Sequence, residues 1–332
     1  MISVALCTYN GEKFLQEQLE SIAAQSLLPA EIVICDDGSE DQTIQVVENF
    51  SRHSQISVHL YRNEKRMGVM QNFRKTISIC KGDYIALCDQ DDVWMKGKLK
   101  RVIDFFQLSQ NKEIQVVFSD LLLTDENLNS LGKTMWQQIN FNKKLQKKWM
   151  RGGALDILLN RGNLVTGASV VFRSSFRNEI DDALSRPYKI WFHDGLIALM
   201  AAKTNSVSFI NEATGFYRQH IAQAAGTKIE KPEPIFFSGA KKILKGQTSV
   251  AIETEDILNG YCKSRDDLTG LGFKAEQLNR LNKMIKHFEA RKNLPANKLK
   301  RMPAILKELF TLRYYNYSHS FFLAAVKDLF KK

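Results

Sequence analysis

The sequence predicts an α/β fold, a doubly wound sheet over residues 1–226 followed by a mostly helical extension over 227–332. Three observations predict it. Short apolar runs alternate with segments of helical period through the first half of the chain. Polar and acidic residues follow the ends of those runs, where open α/β sheets bind their ligands. After Gly226 the alternation stops, and helical patterning broken by loops runs from about 233 to 332.

The elements follow in order. Ile2–Leu6 reads as the first strand, with Thr8-Tyr9-Asn10-Gly11 as the turn behind it. Phe14, Leu15, Leu19 and Ile22 share one helical face, so 13–25 is helical until Leu28-Pro29 breaks it. Glu31–Cys35 is the second strand, Asp36-Asp37-Gly38-Ser39 its terminal loop, and a helix carrying Ile44, Val47 and Phe50 starts near Thr43. Ser57–Tyr61 is a third strand, Gly68 leads into a helix through Phe73 and Ile77, and Asp83–Cys88 is a fourth strand. Lys98–Phe106 is helical and Val116–Ser119 extended. Right-handed crossovers between parallel strands bring the strand-end loops to one edge. Residues 130–163, rich in Lys, Gln, Asn and Trp, are weakly patterned and read as a mobile loop or cover. Val165–Phe172 is apolar again, a charged helix and loop run to Ile190, Trp191–Ala202 is helical, and Val207–Ile210 is strand-like.

Composition bounds the class. With 44% hydrophobic and 25% charged residues the chain is ordinary globular material. Met1–Leu6 enters a strand directly, without a basic leader, and no apolar run of ~18 residues occurs, so the expectation is a cytoplasmic protein. The five cysteines form no CxxC pair and mostly sit in apolar runs, as small reduced core residues do. The net charge of +11 is unevenly placed: residues 227–332 hold 21 Lys and Arg against 11 Asp and Glu. That asymmetry points to an anionic partner for the last third, or to a solvated Lys-rich appendage. No recognisable nucleic-acid module accompanies it, so nucleic acid is not expected as the partner.

The strongest chemical signal is Tyr84-Ile85-Ala86-Leu87-Cys88-Asp89-Gln90-Asp91-Asp92-Val93-Trp94. An apolar run ends in three carboxylates within four positions, which repel one another unless a cation neutralises them. Oxygen ligands suit Mg²⁺ or Mn²⁺, ions that commonly carry substrate phosphates in their other positions. At the first strand end, the Tyr9 ring can stack on a planar base. At the second, Asp37 can accept a hydrogen bond from a base, Gly38 permits tight backbone geometry, and Ser39 or Asp41 can cap the next helix. Arg66, Gly68 and Asn72 approach the same ligand if the topology holds. Near the C-terminus, Phe321, Phe322, Ala325, Leu329 and Phe330 share a helical face flanked by Lys327, Lys331 and Lys332, which suits either a membrane interface or packing on the catalytic domain.

Cys7-Thr8-Tyr9-Asn10-Gly11, Ile34-Cys35-Asp36-Asp37-Gly38-Ser39 and Cys88-Asp89-Gln90-Asp91-Asp92-Val93-Trp94, in this order and spacing, resemble family 2 glycosyltransferases of the GT-A fold (Rossmann-like, with a doubly wound mixed sheet). The last string is most similar to bacterial rhamnosyltransferases of surface polysaccharide synthesis. The resemblance covers 1–226 well and 227–332 poorly. It implies an inverting, metal-dependent transferase using a dTDP- or UDP-linked sugar and a glycan or lipid-linked acceptor; a lipid-linked acceptor agrees with the reading of the C-terminal helix as a peripheral contact with the inner membrane face, its packing on the catalytic domain being the alternative. It implies that Thr8, Tyr9 and Asp37, with Asn10, Asp36, Gly68 and Asn72 nearby, bind the nucleotide. Asp89 and Gln90 meet the donor, and Asp91 holds Mg²⁺ or Mn²⁺. Trp191-Phe192-His193-Asp194-Gly195 fits the family's base motif, making Asp194 the general base and Trp191 and His193 acceptor contacts. Thr214-Gly215-Phe216-Tyr217-Arg218-Gln219-His220 resembles a Tyr-Arg-Gln-His segment, with His220 a further metal ligand and Arg218 and Gln219 on the diphosphate. A non-catalytic nucleotide-sugar-binding subunit of a glycan assembly complex is the alternative.

Overall fold

A computed structural model describes residues 1–186, 192–221, 250–314 and 321–330. The chain forms two compact units, Met1–Ala224 and Ala225–Lys332.

The first unit is built on a nine-stranded mixed sheet. β1 (Ile2–Thr8), β2 (Glu31–Asp36), β3 (Ser57–Arg62) and β4 (Tyr84–Asp89) are parallel, in the order β3-β2-β1-β4. β1, β2 and β4 are apolar almost throughout because helices cover both faces, which removes the alternation of a half-exposed sheet. α1 (Leu15–Ala23) buries Leu15, Leu19 and Ile22 against this sheet, and α4 (Lys98–Gln107) buries Leu99, Val102 and Phe106. Register aligns the strand ends: Thr8 lies beside Asp36, and Cys7 lies beside both Cys35 and Asp89. α2 (Thr43–His53) and α3 (Val69–Ile79) complete the crossovers.

Beyond β4 the sheet reverses. β8 (Val171–Arg173) is antiparallel to both β4 and β6 (Val116–Thr124), and it pairs only with Tyr84–Ala86 of β4. Cys88 and Asp89 therefore run past it toward the loop edge. β9 (Val207–Arg218) runs parallel to β6 and takes β5 (Val93–Trp94) on its far side, with Val93 opposite Phe216. The sequence predicts this strand only to Ile210. Polar Asn211, Glu212 and Thr214 hide its continuation, which is held by pairing to β6 and β5 and returns Arg218 to the acidic turn.

Residues 130–163 form regular elements, which corrects the expectation of a mobile loop. They form β7 (Ser130–Thr134), α5 (Met135–Gln138), α6 (Lys143–Lys148), a kinked turn through Gly152 (φ 84°) and α7 (Ala154–Arg161). Trp136, Phe141 and Trp149 pack around Phe118 with ring centroids 5.9, 5.9 and 5.2 Å away. Their irregular spacing matches neither a helix nor a strand period, so the pattern is invisible before the chain folds. α8 (Arg177–Ser185) and α9 (His193–Lys203) close the unit.

In the second unit the helices Val250–Gly270 and Asn279–Lys292 pack together, and so do Lys298–Phe310 and Phe321–Leu329. A buried ionic network joins three of the four. His287 Nδ1 lies 2.7 Å from Glu308, Arg291 donates twice to Asp328 (2.6 and 3.2 Å), and the Tyr314 hydroxyl donates to the same carboxylate at 2.6 Å. His287 faces Glu308 and Arg291 faces Asp328, the opposite partner that a buried charge requires against its desolvation. Ala325, on the face expected to meet a membrane or the catalytic domain, is buried in a cluster with Ile305 and Tyr314 of its own unit. No helix among the described residues is long and apolar enough to cross a membrane.

Candidate active site

The strand-end loops of β1 and β2 brace each other. Asp36 is fully buried and accepts from Thr8 Oγ1 (2.8 Å), Ser39 N (2.8 Å), Gly38 N (3.2 Å) and Ser39 Oγ (2.5 Å). Thr8 and Asp36, expected on the nucleotide, are thereby corrected to an internal brace, because the donors that saturate Asp36 belong to its own chain. Asn10 takes φ 47°, its N–H donates to Ser39 Oγ, and its side chain accepts from Glu40 N. Asp41 accepts from Thr43 N at 3.0 Å at the start of α2.

Asp37 clamps the loop that follows β3. It accepts from Asn63 Nδ2 (2.9 Å), Met67 N (2.7 Å) and Gly68 N (2.8 Å), so of its four lone-pair sites about one remains open. Asn72 is buried between Asn63 and the Cys35 carbonyl, which corrects it from ligand contact to support. The clamp sets Arg66 over the Tyr9 ring, with the guanidinium carbon 3.9 Å from the centroid. Gln90 is also a clamp: its amide accepts from Tyr9 N (2.8 Å) and donates to Tyr9 O (3.0 Å), as a neighbouring strand would. A Cβ at Gly11 would lie 2.3 Å from Gln90 Oε1, so a larger residue there displaces the Gln90 clamp.

The acidic turn meets the end of β9. His220 Nε2 lies 2.8 Å from Asp91 Oδ2, so the two residues expected on a metal are together. Arg218 is corrected from diphosphate contact to an internal pin. It is 1% exposed, its Nε donates to the Asp91 carbonyl (2.8 Å), one terminal nitrogen donates to the Glu126 carbonyl, and the other reaches Glu17 at 2.5 Å. Its main-chain N–H donates to Asp92 Oδ1 at 3.1 Å. Gln219 is half-buried, and its N–H pairs with the Thr124 carbonyl.

Asp194 opens α9. Its Oδ1 accepts from Asn163 Nδ2 and Gly195 N, both at 2.7 Å, and its Oδ2 accepts from Gly167 N at 3.0 Å. The carboxylate is thus fixed in direction while Oδ2 keeps a lone pair. His193 is buried and stacked on Phe73, with centroids 4.1 Å apart, and neither ring nitrogen has a partner. It is corrected from acceptor contact to packing, and burial holds its pKa below the ordinary value. Trp191 lies outside the described residues.

Electrostatics tie these elements together. Burial, then Asp91 and Asp194, push Asp89 up to about 7. Burial, then Asp91 and Asp89, drive Asp92 well above the carboxylate range. Burial also raises the Tyr217 hydroxyl, with Asp92, Asp89, Asp91 and Asp194 all contributing. Lys98 is the countercharge the sequence reading passed over. It is fully buried, donates to the Ala168 carbonyl at 2.5 Å, lies 3.9 Å over the Trp94 ring, and is held down to about 8 by burial. The i, i+4 spacing of Trp94 and Lys98 was the signal available. Asn163, which orients Asp194, carried none, because it lies in the weakly patterned segment.

The set fits a divalent cation. Asp92 Oδ2 is buried without a partner, and the crowded carboxylates favour protons in the absence of positive charge. Among the described residues no cluster of three His, Cys, Asp or Glu side chains forms a ready-made cage. A partial ligand set of this kind suits an ion completed by water and by phosphate oxygens.

The family model described as Glycosyl transferase family 2 matches residues 3–177. An uncharacterized protein of Mycobacterium tuberculosis, Rv1520, is 27% identical over 222 residues, 66% of this chain and 59% of its own length. The chain thus spans less than two thirds of that relative. The dTDP-rhamnosyl transferase RfbG of Shigella flexneri is 36% identical over 103 residues, 30% of this chain and 36% of its own. Among solved structures, S. aureus TarS 1–349 in complex with UDP-GlcNAc has a TM-score of 0.52 at 18% identity, covering 98% of this chain and 90% of that one. The mannosyltransferase PcManGT of Pyrobaculum calidifontis, in complex with GDP-Man and Mn²⁺, has a TM-score of 0.51 at 16% identity, covering 100% and 87%. At these identities the structural likeness speaks for the fold, which is GT-A.

Proposed function

We propose, for a chain that belongs to glycosyl transferase family 2, that it moves a sugar from a nucleoside-diphosphate donor to a hydroxyl of a glycan or lipid-linked acceptor, with inversion. The observation that carries this reading is the gathering of Asp91–His220, Asp89, Asp92 and a rigidly oriented Asp194 on one edge of the sheet. The Tyr9 ring offers a stacking face for the base, beside Arg66 and the open lone pair of Asp37. Asp91 and His220 would hold a Mg²⁺ or Mn²⁺ ion, with Asp89 toward the donor, and such an ion would supply positive charge for the departing diphosphate. Arg218 and Gln90 keep the acidic turn and the Tyr9 turn in place.

Asp194 Oδ2 accepts the proton of the acceptor hydroxyl. The hydroxyl oxygen forms its bond to the anomeric carbon as the bond to the diphosphate breaks, and the electron pair leaves with the nucleoside diphosphate. Asn163, Gly167 and Gly195 hold Asp194 for this transfer. The RfbG relative favours a dTDP-linked rhamnose, and the TarS complex makes a UDP-linked sugar the second choice.

A panel of dTDP- and UDP-sugars with Mg²⁺ or Mn²⁺ tests the reading through transfer and binding together. Asp194→Asn abolishes transfer and keeps donor binding, whereas Asp91→Ala loses both. Full activity in both variants refutes the assignment. Donor binding without transfer under any condition points to a non-catalytic subunit.

A further inference from the structure

The helix Lys298–Phe310 is inside out for a water-facing domain. It buries Arg301, Ile305 and Glu308 and exposes Leu299, Met302, Leu306 and Phe310. Leu299 is 83% and Phe310 84% exposed. At 3.6 residues per turn these four lie within roughly 80° of arc. Lys300 and Lys307 border the stripe on one side and Lys298 on the other, and all three are exposed. The inward face is polar because Glu308 and Arg301 belong to the buried network: Glu308 pairs with His287 and Arg313, and Arg301 donates to the carbonyls of Pro295, Ala296, Asp328 and Leu329. Phe330, 62% exposed, lies 5.2 Å from Lys298 Nζ and continues the apolar surface beyond that border.

We propose that this face is a docking surface for an anionic lipid bilayer. An exposed apolar stripe with aromatic ends sinks into the headgroup boundary while its lysine borders meet lipid phosphates. Charge chooses this occupant over a second copy of the chain. The region 227–332 carries ten of the eleven net positive charges, so two such faces set against each other would oppose lysine borders of the same sign. An anionic surface neutralises them. The surface lies on the helix Lys298–Phe310, rather than on the face of the last helix that Ala325 buries. It does not depend on the catalytic assignment.

The test is flotation of the full chain with vesicles of phosphatidylcholine alone or mixed with phosphatidylglycerol, alongside sedimentation velocity without lipid. The chain is expected to float with the mixed vesicles, to be released by salt, and to remain largely behind with phosphatidylcholine. Leu306→Glu/Phe310→Glu lowers the partition at least about tenfold, since it removes two apolar anchors and adds repelled charges. Lys298→Gln/Lys300→Gln/Lys307→Gln lowers it roughly a hundredfold, at about fivefold per lysine. All five positions are exposed, so unchanged far-UV circular dichroism is expected in every variant. Equal binding by the variants, no preference for anionic vesicles, or a lipid-free dimer that Leu306→Glu/Phe310→Glu turns into monomers would each overturn the proposal.

Discussion

Replacing Arg218 by methionine distinguishes a pin from a ligand contact. Methionine keeps an apolar stem near the Phe14 ring, over which the guanidinium sits at 4.5 Å, and removes the charge and the donors. Two carbonyls, those of Asp91 and Glu126, lose their donors, at about 1 kcal/mol or slightly more each. The cation–π contact contributes about 0.5–1 kcal/mol. Glu17 is half exposed and water replaces its partner, so that pair counts for at most about 0.5 kcal/mol. The sum is near 3 kcal/mol, which at about 2–4 °C per kcal/mol for a domain of this size lowers Tm by roughly 6–12 °C. Differential scanning calorimetry reads the shift, and titration with a nucleotide sugar and Mn²⁺ reads the consequence for the acidic turn. A Tm within about 1 °C of the wild type, together with a lost donor affinity, refutes the reasoning. It would show that the arginine serves the diphosphate directly.

Four further outcomes follow from the same geometry. Asp89 sits at about 7, raised from 3.8 by burial and by Asp91, so a proton competes with a cation below neutrality. Apparent Mn²⁺ affinity rises between about pH 6 and pH 8, and a flat profile contradicts it; by the same sign, Asp89 makes the metal-free protein lose stability as pH climbs from 3.8 through 7. Gly11→Ala forces a Cβ against Gln90, removes two hydrogen bonds to Tyr9, and lowers stability by about 2 kcal/mol together with donor affinity; wild-type values for both exclude the clamp. His193→Leu replaces two unpartnered buried nitrogens with apolar volume and raises stability by about 1 kcal/mol without changing the acceptor KM, whereas a large rise in that KM restores the histidine to the acceptor site. Asp328→Asn leaves Arg291 buried without its counter-ion, costs about 3–5 kcal/mol in the second unit, and exposes the last helix to proteolysis; unchanged protease resistance speaks against the network.

The sites of chemistry were easier to read than the work of individual residues. Asp89, Asp91 and Asp92 stood out because three carboxylates after an apolar run have no place in a strand core. Asp194 and His220 were reached through resemblance, and pairing of β9 with β5 and β6 brings His220 to Asp91. Asp36, Asn72, Gln90, Arg218 and His193 were read as ligand contacts because a polar residue at a strand end serves a ligand and a neighbouring loop with the same letters. Hydrogen-bond accounting separates the two, and it needs coordinates: Asp36 is saturated by its own chain, and Arg218 by two carbonyls and Glu17.

Periodicity and strand-end chemistry by themselves determined the alternating α/β order, the edge where the site lies, and the change of character toward a basic helical extension. Those signals are local, set by side-chain period and by where carboxylates are tolerated. Tertiary structure alone decided the reversal at β8, the length of β9, the aromatic core formed by Trp136, Phe141 and Trp149, and which face of the helix Lys298–Phe310 points inward. Each of these depends on partners distant in sequence. A helix that buries Arg301 and Glu308 looks upside down until Asp328, His287 and the carbonyls that satisfy them are in place.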